Sequence, residues 1–156
     1  MSDEIIIRKV TITDLPDLVR LRRMMFEAMG FDDLDQLDAA DAAAKNYFAE
    51  AIPEGKFVGW LAITNSGVAV GSGGVVIDQR PPGPENLSGQ TGYIMNIVTD
   101  IRYRRKGISR CIMQVILEWL SEQGIIFATL HASEMGWPLF QELGFVDSNE
   151  MRLKIK

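Results

Sequence analysis

The chain has 156 residues, of which 47% are hydrophobic and 24% charged, and its formal net charge is −5 at pH 7. This length suits one domain over residues 1–156, and the acidic balance argues against general binding to nucleic acid, where phosphate neutralisation dominates affinity. No membrane helix, signal peptide, disulfide or protein-only metal site is expected, since long apolar runs are lacking and the chain has one cysteine and one histidine. We therefore expect a cytoplasmic protein without a membrane partner.

The first half of the chain predicts a strand, two helices and a hairpin. A stripe of leucine and methionine indicates the first helix, which Gly30 ends, and Pro53 and Gly55 break the pattern of the second. The turn of the hairpin is expected at residues 65–67, which read Asn-Ser-Gly. In chain order, the predicted ranges are strand 4–10, helix 13–29, helix 34–51, and the paired strands 57–64 and 68–77.

The second half predicts a β-α-β unit followed by a short helix and closing strands. Residues 80–92 are rich in proline and glycine and predict a long loop, either a substrate-facing excursion or a surface insertion. Apolar residues at steps of three and one predict a helix from 108 to Gly124, with Cys111 as a small buried hydrophobe on its apolar face. The remaining predictions are strand 93–99, strand 125–130, helix 133–143 and one or more strands in 145–155. A mixed sheet flanked by helices follows.

A basic run, Arg104-Arg105-Lys106-Gly107-Ile108-Ser109, lies between the strand at 93–99 and the helix that follows it. A helix start leaves backbone N–H groups unpaired and carries about half a positive charge, so an anion gains hydrogen bonds and favourable electrostatics there. Glycine permits close approach, and arginine suits phosphate oxygens. The run predicts a site for a small phosphorylated ligand; on the run alone, a solvated basic face and a simple turn remain alternatives.

Two motifs resemble the GNAT superfamily of N-acetyltransferases. The pyrophosphate-loop pattern Arg-x-x-Gly-x-[Gly/Ala] is met by Arg104 and Gly107, with Ser109 as a small polar replacement, and residues 139–145, Leu-Phe-Gln-Glu-Leu-Gly-Phe, resemble the closing motif Leu-Tyr-x-x-Leu-Gly-Phe. The resemblance implies a single-domain α/β (α+β) fold with a mixed, mostly antiparallel central sheet, a splayed parallel pair, and helices on both faces. It also implies transfer of an acetyl group from acetyl-CoA to a primary amine of a small-molecule or amino-acid-like acceptor.

The resemblance further implies where acetyl-CoA binds. Backbone groups of residues 97–99 are expected to pair with the pantetheine arm, N–H groups of residues 105–109 to hold the pyrophosphate, and the N–H of Val98 to stabilise the oxyanion. The expected cofactor-binding residues are Ile97, Val98, Thr99, Arg104, Arg105, Lys106, Gly107, Ile108, Ser109 and Ser133. Other partners are a small-molecule amine and, as an option, a second copy of the chain; no metal is expected.

The chain departs from the family pattern at the expected proton donor. Phe140 stands where the family commonly has the tyrosine that protonates the departing thiolate, and Ser133 stands at a frequent asparagine position. The candidate catalytic groups are Ser133, Tyr93 and His131, each with a structural alternative: a helix cap, a cleft wall and a local hydrogen bond, respectively. A non-catalytic acyl-CoA-binding or regulatory protein is therefore the alternative function.

The acceptor site is less defined in the sequence. Several aspartates crowd the connection between the first two helices, which resembles the acceptor-binding wall of the family, and they would attract a cationic amine. Aspartates also gather at helix starts as caps, so both alternatives remain open. The candidate acceptor-binding residues are Asp32, Asp33 and Asn96.

Overall fold

The computed structural model describes residues 4–156, which form a five-stranded sheet and four α-helices. Short 3₁₀ turns at Ile12–Asp14 and Ile101–Tyr103 precede the first and third helices. In chain order the elements are β1 Ile5–Lys9, α1 Leu15–Ala28, α2 Leu34–Ala51, β2 Val58–Thr64, β3 Ala69–Gln79, β4 Gln90–Thr99, α3 Ile108–Glu122, β5 Ala128–Leu130 and α4 Trp137–Glu142.

The sheet is mixed, as the sequence predicts. Its strand order follows the chain from β1 to β5, with antiparallel neighbours except for the parallel pair β4 and β5. That parallel pairing joins only residues 92–94 of β4 to Ala128–Leu130. Among the described residues no strand continues the pairing along 95–99, so this edge of β4 is open where the two strands splay apart.

Helices cover both faces of the sheet. The apolar side of α3 packs with Trp60, Ala62 and Ile94 on one face, together with Phe140 of α4. On the other face, Leu18 and Leu21 of α1 and Phe48 of α2 pack against Phe57, Leu61 and Val98. Burial of these two clusters fixes the helices to the sheet, and none of the helices within 4–156 is long and apolar enough to cross a bilayer.

A β-bulge interrupts β4 next to the open edge. Met95 pairs with Gly74 but Val98 pairs with Ser72, so β4 carries one residue more than β3 across this interval. Asn96 lies in the bulge with a left-handed backbone, at φ 62°, and the Ser72 hydroxyl donates to its carbonyl oxygen at 2.9 Å. A bulge bends its strand, which accounts for the splay of β4 away from β5.

Several predicted boundaries were wrong in the middle of the chain. β3 extends to Gln79, beyond the predicted end at 77, and the loop predicted over 80–92 is shorter because β4 begins at Gln90. Side-chain amides hold it as a compact connection: Gln79 donates to the carbonyl of Ser88 at 2.9 Å, and Asn86 to that of Gln90 at 2.8 Å. These contacts argue against the loose insertion, and a substrate-facing role for this loop stays a prediction.

The prediction for Cys111 was also wrong. Its side chain is exposed, because the buried residues of α3 follow a narrower stripe than the apolar pattern suggested. Ile108, Ile112 and Ile116 define that stripe at steps of four, and Cys111 lies beside it.

The carboxyl-terminal predictions were wrong in extent. β5 covers only Ala128–Leu130 of the predicted 125–130, and α4 covers only Trp137–Glu142 of the predicted 133–143, because residues 134–136 form turns. Residues 145–156 form neither helix nor strand, although a strand was predicted there. A strand needs a hydrogen-bonded neighbour, and among the described residues this segment has none.

Asp14 joins β1 to the turn before α1. It is buried, it accepts two hydrogen bonds from the Arg8 guanidinium at 2.8 and 2.9 Å, and it accepts a third from the Thr11 N–H at 2.8 Å. Hydrogen bonding to Arg8 lowers the pKa of the Asp14 carboxyl, and burial opposes that shift only in part.

We expect Asp14→Asn to lower the free energy of unfolding by about 2 kcal/mol at pH 7. Because the folded pKa of Asp14 is below the unfolded value of about 3.9, this stabilisation is present above that value and is lost as the pH falls below it. Urea unfolding at pH 7 and pH 3 therefore gives a smaller difference between wild type and variant at pH 3 than at pH 7. An equal difference at both pH values would contradict this assignment.

Candidate active site

The basic run forms a loop that bends sharply into α3. Gly107 precedes the first residue of α3 with φ 78°, and Arg105 also has a left-handed backbone, at φ 65°. Glycine adopts such a conformation without steric cost. Alternation of left- and right-handed residues turns successive N–H groups toward one side, the arrangement called a nest, which binds anions.

The backbone N–H groups of residues 104–110 have no hydrogen-bond acceptor within residues 4–156, whereas the N–H of Cys111 donates to the carbonyl of Gly107 at 3.0 Å. A Cβ placed on Gly107 would meet no atom within 4 Å, so the space before α3 is open. Unpaired donors, an open approach and the positive end of a 15-residue helix fit a pyrophosphate group.

Side-chain contacts fix the loop to the end of β4. The Arg104 Nε donates to the carbonyl oxygen of Thr99 at 3.3 Å, and the hydroxyls of Thr99 and Ser109 lie 2.7 Å apart. Lys106 lies over the Tyr103 ring, 5.2 Å from its centroid. The structure thus brings the predicted cofactor residues at the strand end and in the loop into one continuous surface.

Arg102 plays a different part from the rest of the basic segment. Its guanidinium forms two hydrogen bonds with the buried carboxylate of Asp100, at 3.2 and 2.9 Å, and this contact lowers the pKa of Asp100. Arg102 is therefore neutralised locally. The exposed Arg105 and Lys106 have no carboxylate within ion-pair distance among the described residues, and they remain available to an anion.

The open edge of β4 presents Ile97 and Thr99. The N–H of Asp100 donates to the carbonyl of Val70 at 2.8 Å, so the N–H of Asp100 points toward β3. Successive residues of a strand direct their backbone groups to opposite sides, so Val98 also points toward β3, where it pairs with Ser72. The N–H groups of Ile97 and Thr99 then face the open side. Because the N–H of Val98 points toward β3, we now expect Ile97, and not Val98, to supply the oxyanion donor.

Tyr93 and His131 lie together at the end of the parallel pair. The Tyr93 hydroxyl forms a hydrogen bond with Nδ1 of His131, and their ring centroids are 5.6 Å apart. Burial raises the pKa of the Tyr93 hydroxyl, so this group stays protonated near neutral pH. His131 itself is exposed. The pair can pass a proton between phenol and imidazole, while ionised Tyr93 is excluded as a base near pH 7.

Ser133 precedes α4 and Phe140 lies within it, and the two side chains differ in environment. The exposed Ser133 accepts a hydrogen bond from the Gly136 N–H at 3.1 Å, which stabilises the turn before α4. Phe140 is 7% exposed, and its ring lies 6.0 Å from that of Phe145 in an edge-to-face arrangement. Phe140 thus contributes to the core, and its ring offers no exchangeable proton.

Three aspartates at the start of α2 and in its first turns contact other groups of the protein. The Asp33 carboxylate caps α2 by accepting from the Gln36 N–H at 3.1 Å. Asp38 and Asp41 both accept from the Arg23 guanidinium, at 2.7 and 2.8 Å. The Asp33 contact supports the capping alternative, whereas Asp38 and Asp41 form ion pairs with α1. An acceptor-binding role for Asp32 and Asp33 stays a prediction.

Asn96 contacts a residue that the sequence did not single out. The Arg22 guanidinium of α1 donates to the side-chain oxygen of Asn96, which is 2% exposed and lies in the bulge. One sequence signal was available: Arg22 follows Leu18 by four positions and precedes Met25 by three, which places a cation beside the apolar stripe of α1. That spacing indicates a half-buried charge, although it cannot identify Asn96 as its neighbour.

Comparison with known proteins agrees with this geometry. A GCN5-related N-acetyltransferase from Ralstonia eutropha has 31% sequence identity and a TM-score of 0.90, over 97% of this chain and 99% of that one. A protein of Clostridium acetobutylicum described as an acetyltransferase, with acetyl-CoA in its crystal structure, has 25% identity and a TM-score of 0.88, over 98% of this chain and 96% of that one.

More distant structures share the fold. Glucosamine-6-phosphate N-acetyltransferase from Arabidopsis thaliana has 19% identity and a TM-score of 0.74, over 99% of this chain and 100% of that one. No curated protein sequence matches the chain. The model of the acetyltransferase (GNAT) family matches residues 15–145, which include the bulged strand, the nest and α3. The chain therefore belongs to the GNAT acetyltransferase family.

Proposed function

We propose that this protein transfers an acetyl group from acetyl-CoA to a primary amine of a small-molecule or amino-acid-like acceptor, by direct attack on the thioester. The observation that carries the proposal is one continuous surface, in which the open edge of β4 leads into the nest at residues 104–110. An extended pantetheine arm can add to such an edge as a strand would, while the nest holds the pyrophosphate at its end.

Different groups of the protein bind different parts of acetyl-CoA. The N–H groups of the nest face the pyrophosphate, Arg105 and Lys106 add positive charge, and Arg104 fixes the nest to Thr99. The N–H of Ile97, next to the bulge, faces the carbonyl oxygen of the acetyl group and stabilises the negative charge that develops on it. Acetyl-CoA supplies the acetyl group already activated as a thioester.

The transfer moves protons at the nitrogen and at the sulfur. The ammonium form of the amine first loses one proton to become the nucleophile. As the bond from the amine nitrogen to the acetyl carbon forms and the carbon–sulfur bond breaks, the nitrogen loses a second proton and the sulfur gains one, so one proton is released to solvent overall. An alkylamine with a pKa of about 10.4 requires about 4.6 kcal/mol for deprotonation at pH 7, whereas a thiolate with a pKa of about 8.5 differs from pH 7 by only about 2 kcal/mol. Loss of a tyrosine at position 140 therefore affects the easier of the two proton transfers.

We assign proton transfer to the Tyr93 and His131 pair, because these groups share a hydrogen bond beside the splay. In its neutral form the His131 imidazole can accept a proton through the Tyr93 hydroxyl, to which it is hydrogen-bonded. Ser133 lies two residues after His131 and its hydroxyl is exposed. This hydroxyl is a second candidate for delivering the proton to sulfur.

Release of free thiol from acetyl-CoA tests the proposal. The assay uses a panel of spermidine, L-amino acids, aminoglycosides and peptide amino termini, together with the melting temperature in the presence of acetyl-CoA. Thiol release that depends on one class of amine supports the proposal. A rise in melting temperature without release for any amine favours the alternative, a non-catalytic acyl-CoA-binding or regulatory protein, for which Phe140 is the supporting observation.

We expect Phe140→Tyr to raise kcat or leave it unchanged. The ring site already accommodates an aromatic group, and a phenol there would offer the proton donor that the family commonly has at this position. Steady-state thiol release measures the change, with Phe145→Tyr as the aromatic control on the same core. A more than tenfold fall in kcat at an unchanged melting temperature would show that the pocket is organised differently.

A homodimer is the second partner that we propose, and the carboxyl-terminal segment supports it. Val146, Met151, Leu153 and Ile155 are between 83% and 98% exposed, and the last three alternate along the chain as one face of a strand does. Within residues 4–156, the outer edge of β5 has no strand beside it. Addition of this segment to β5 of a second copy would satisfy both features and give a symmetric dimer.

Leu153→Lys combined with Ile155→Lys is expected to convert this dimer to a monomer, because the lysines place charge on the face that the dimer would bury. Light scattering after size-exclusion chromatography measures the mass, and Lys154→Ala, on the opposite face of the segment, is the control that should remain dimeric. A monomeric wild-type protein at micromolar concentration would exclude the homodimer.

A further inference from the structure

Arg22 carries a charge that the protein leaves uncompensated. Its guanidinium is half-buried, and no carboxylate within residues 4–156 forms an ion pair with it. The next residue, Arg23, shows the contrast, because it binds Asp38 and Asp41 at 2.7 and 2.8 Å. Burial of an unpaired charge is unfavourable, and proteins retain such groups mainly where a ligand completes them.

The position of this guanidinium is fixed by two contacts. Its Cζ lies 4.9 Å from the centroid of the Phe26 ring, and one of its nitrogens donates to the side-chain oxygen of Asn96. Burial lowers the pKa of Arg22, yet arginine remains protonated in proteins. Arg22 is therefore an oriented cation with further N–H donors that these contacts leave free.

Asn96 adds a second unsatisfied donor at the same place. Its side-chain nitrogen, Nδ2, is buried and has no hydrogen-bond partner in the described part of the chain. The orientation of the amide follows from chemistry, since only its oxygen can accept the N–H of Arg22. A buried amide nitrogen without a partner is rare and costs about 1–3 kcal/mol, so this site lacks one acceptor oxygen.

These donors are next to the expected reaction centre. Asn96 directly precedes Ile97, whose N–H faces the open edge, and consecutive Cα atoms are about 3.8 Å apart. The contact with Arg22 places the Asn96 side chain on the face of the sheet that α1 covers. A group bound there would lie within a few bonds of an amine that attacks the acetyl carbon.

We propose that Arg22 and Asn96 bind the carboxylate of the acetyl acceptor, which makes the acceptor an amino acid with its amine close to its carboxylate. This inference rests on the proposed acetyltransferase function. A single guanidinium matches the single charge and planar oxygens of a carboxylate, whereas a phosphate dianion calls for more than one cation. Polyamines are disfavoured at this position, because Arg22 repels a second positive charge.

Direct binding measurements test the proposal without requiring turnover. Calorimetric titration in the presence of CoA compares N-acetylglycine, N-acetyl-L-methionine, N-acetyl-L-glutamate and N-acetyl-L-phenylalanine with the corresponding N-acetyl amino-acid amides. In wild type, at least one acid is expected to bind about tenfold or more tightly than its amide, because charge-assisted hydrogen bonds are lost in the amide.

Three variants assign that preference to residues. Arg22→Met keeps an unbranched stem beside Phe26 and removes the charge, and it is expected to bind acid and amide equally. Asn96→Gly tolerates the left-handed backbone of the bulge and removes the amide donor, so it should reduce the preference. Arg23→Met removes the neighbouring, paired cation and should retain the preference of wild type.

Several outcomes would overturn the proposal. These are equal binding of acids and amides by wild type, no binding of either, or a preference that persists in Arg22→Met. Turnover of spermidine or of amino-acid amides at least as fast as that of amino acids would overturn it as well, while leaving the acetyltransferase function intact. Conversely, an acid preference that depends on Arg22 without any thiol release would retain this site and refute the proposed activity.

Discussion

Replacement of Gly107 by valine is expected to weaken acetyl-CoA binding by roughly a hundredfold. Gly107 has φ 78°, a conformation that costs a β-branched residue about 1–3 kcal/mol, so the loop relaxes to a different backbone. The nest then loses the common direction of its N–H groups. Loss of about two charge-assisted hydrogen bonds, each worth about 1.5 kcal/mol, corresponds to the expected change in Kd.

Gly55→Val is the matched control for this experiment. Gly55 has φ 71°, and like Gly107 it has no atom within 4 Å of a Cβ position, but it lies in the connection between α2 and β2. Both variants therefore introduce similar backbone strain, and only Gly107→Val should change the Kd for CoA in calorimetric titration. Equal CoA affinity in Gly107→Val and wild type would refute the assignment of the nest to the pyrophosphate.

Gly74→Ala is expected to lower the free energy of unfolding by roughly 3 kcal/mol. A Cβ at this position would lie 2.2 Å from Cζ of Phe57, and the Phe57 ring is almost completely buried against Phe48. The Phe57 ring cannot move without disturbing the core between the sheet and the layer formed by α1 and α2. The added methyl group therefore overpacks this core and destabilises the folded protein. Urea unfolding at pH 7 measures the loss.

Gly83→Ala serves as the control for stability. Its Cβ would meet no atom within 4 Å, and the backbone there is not left-handed, so the change in unfolding free energy should stay within about 0.5 kcal/mol. Gly74→Ala with wild-type stability would show that the sheet and Phe57 are farther apart than the structure places them.

Local patterns in the sequence predict most of the framework, because periodicity reports which face of an element is buried. The predicted range of α2 coincides with the observed helix, Leu34–Ala51, and the β-α-β unit with its parallel pair is confirmed. The sequence also predicts one or more strands in 145–155, yet residues 145–156 are not a strand. Alternation identifies a chain suited to pairing, whereas the pairing depends on a neighbouring edge.

The candidate site is predictable only where one short segment contains it. Residues 104–109 carry the basic charges, the glycine and the helix start together, so the nest could be inferred from sequence. Arg22 and Asn96 are 74 residues apart, and their contact depends on the packing of α1 over a bulge. The bulge has no local sequence signature, because the register shift involves residues of two strands.

The most direct test of the central claim is detection of the acetylated product by mass spectrometry. The purified protein is incubated with acetyl-CoA labelled with ¹³C in the acetyl group and a mixture of L-amino acids at neutral pH. We predict an N-acetyl amino acid that carries the label, with free CoA formed in equal amount, and its loss in Gly107→Val. Absence of labelled product for every amino acid in the mixture, under conditions in which acetyl-CoA raises the melting temperature, would contradict the account.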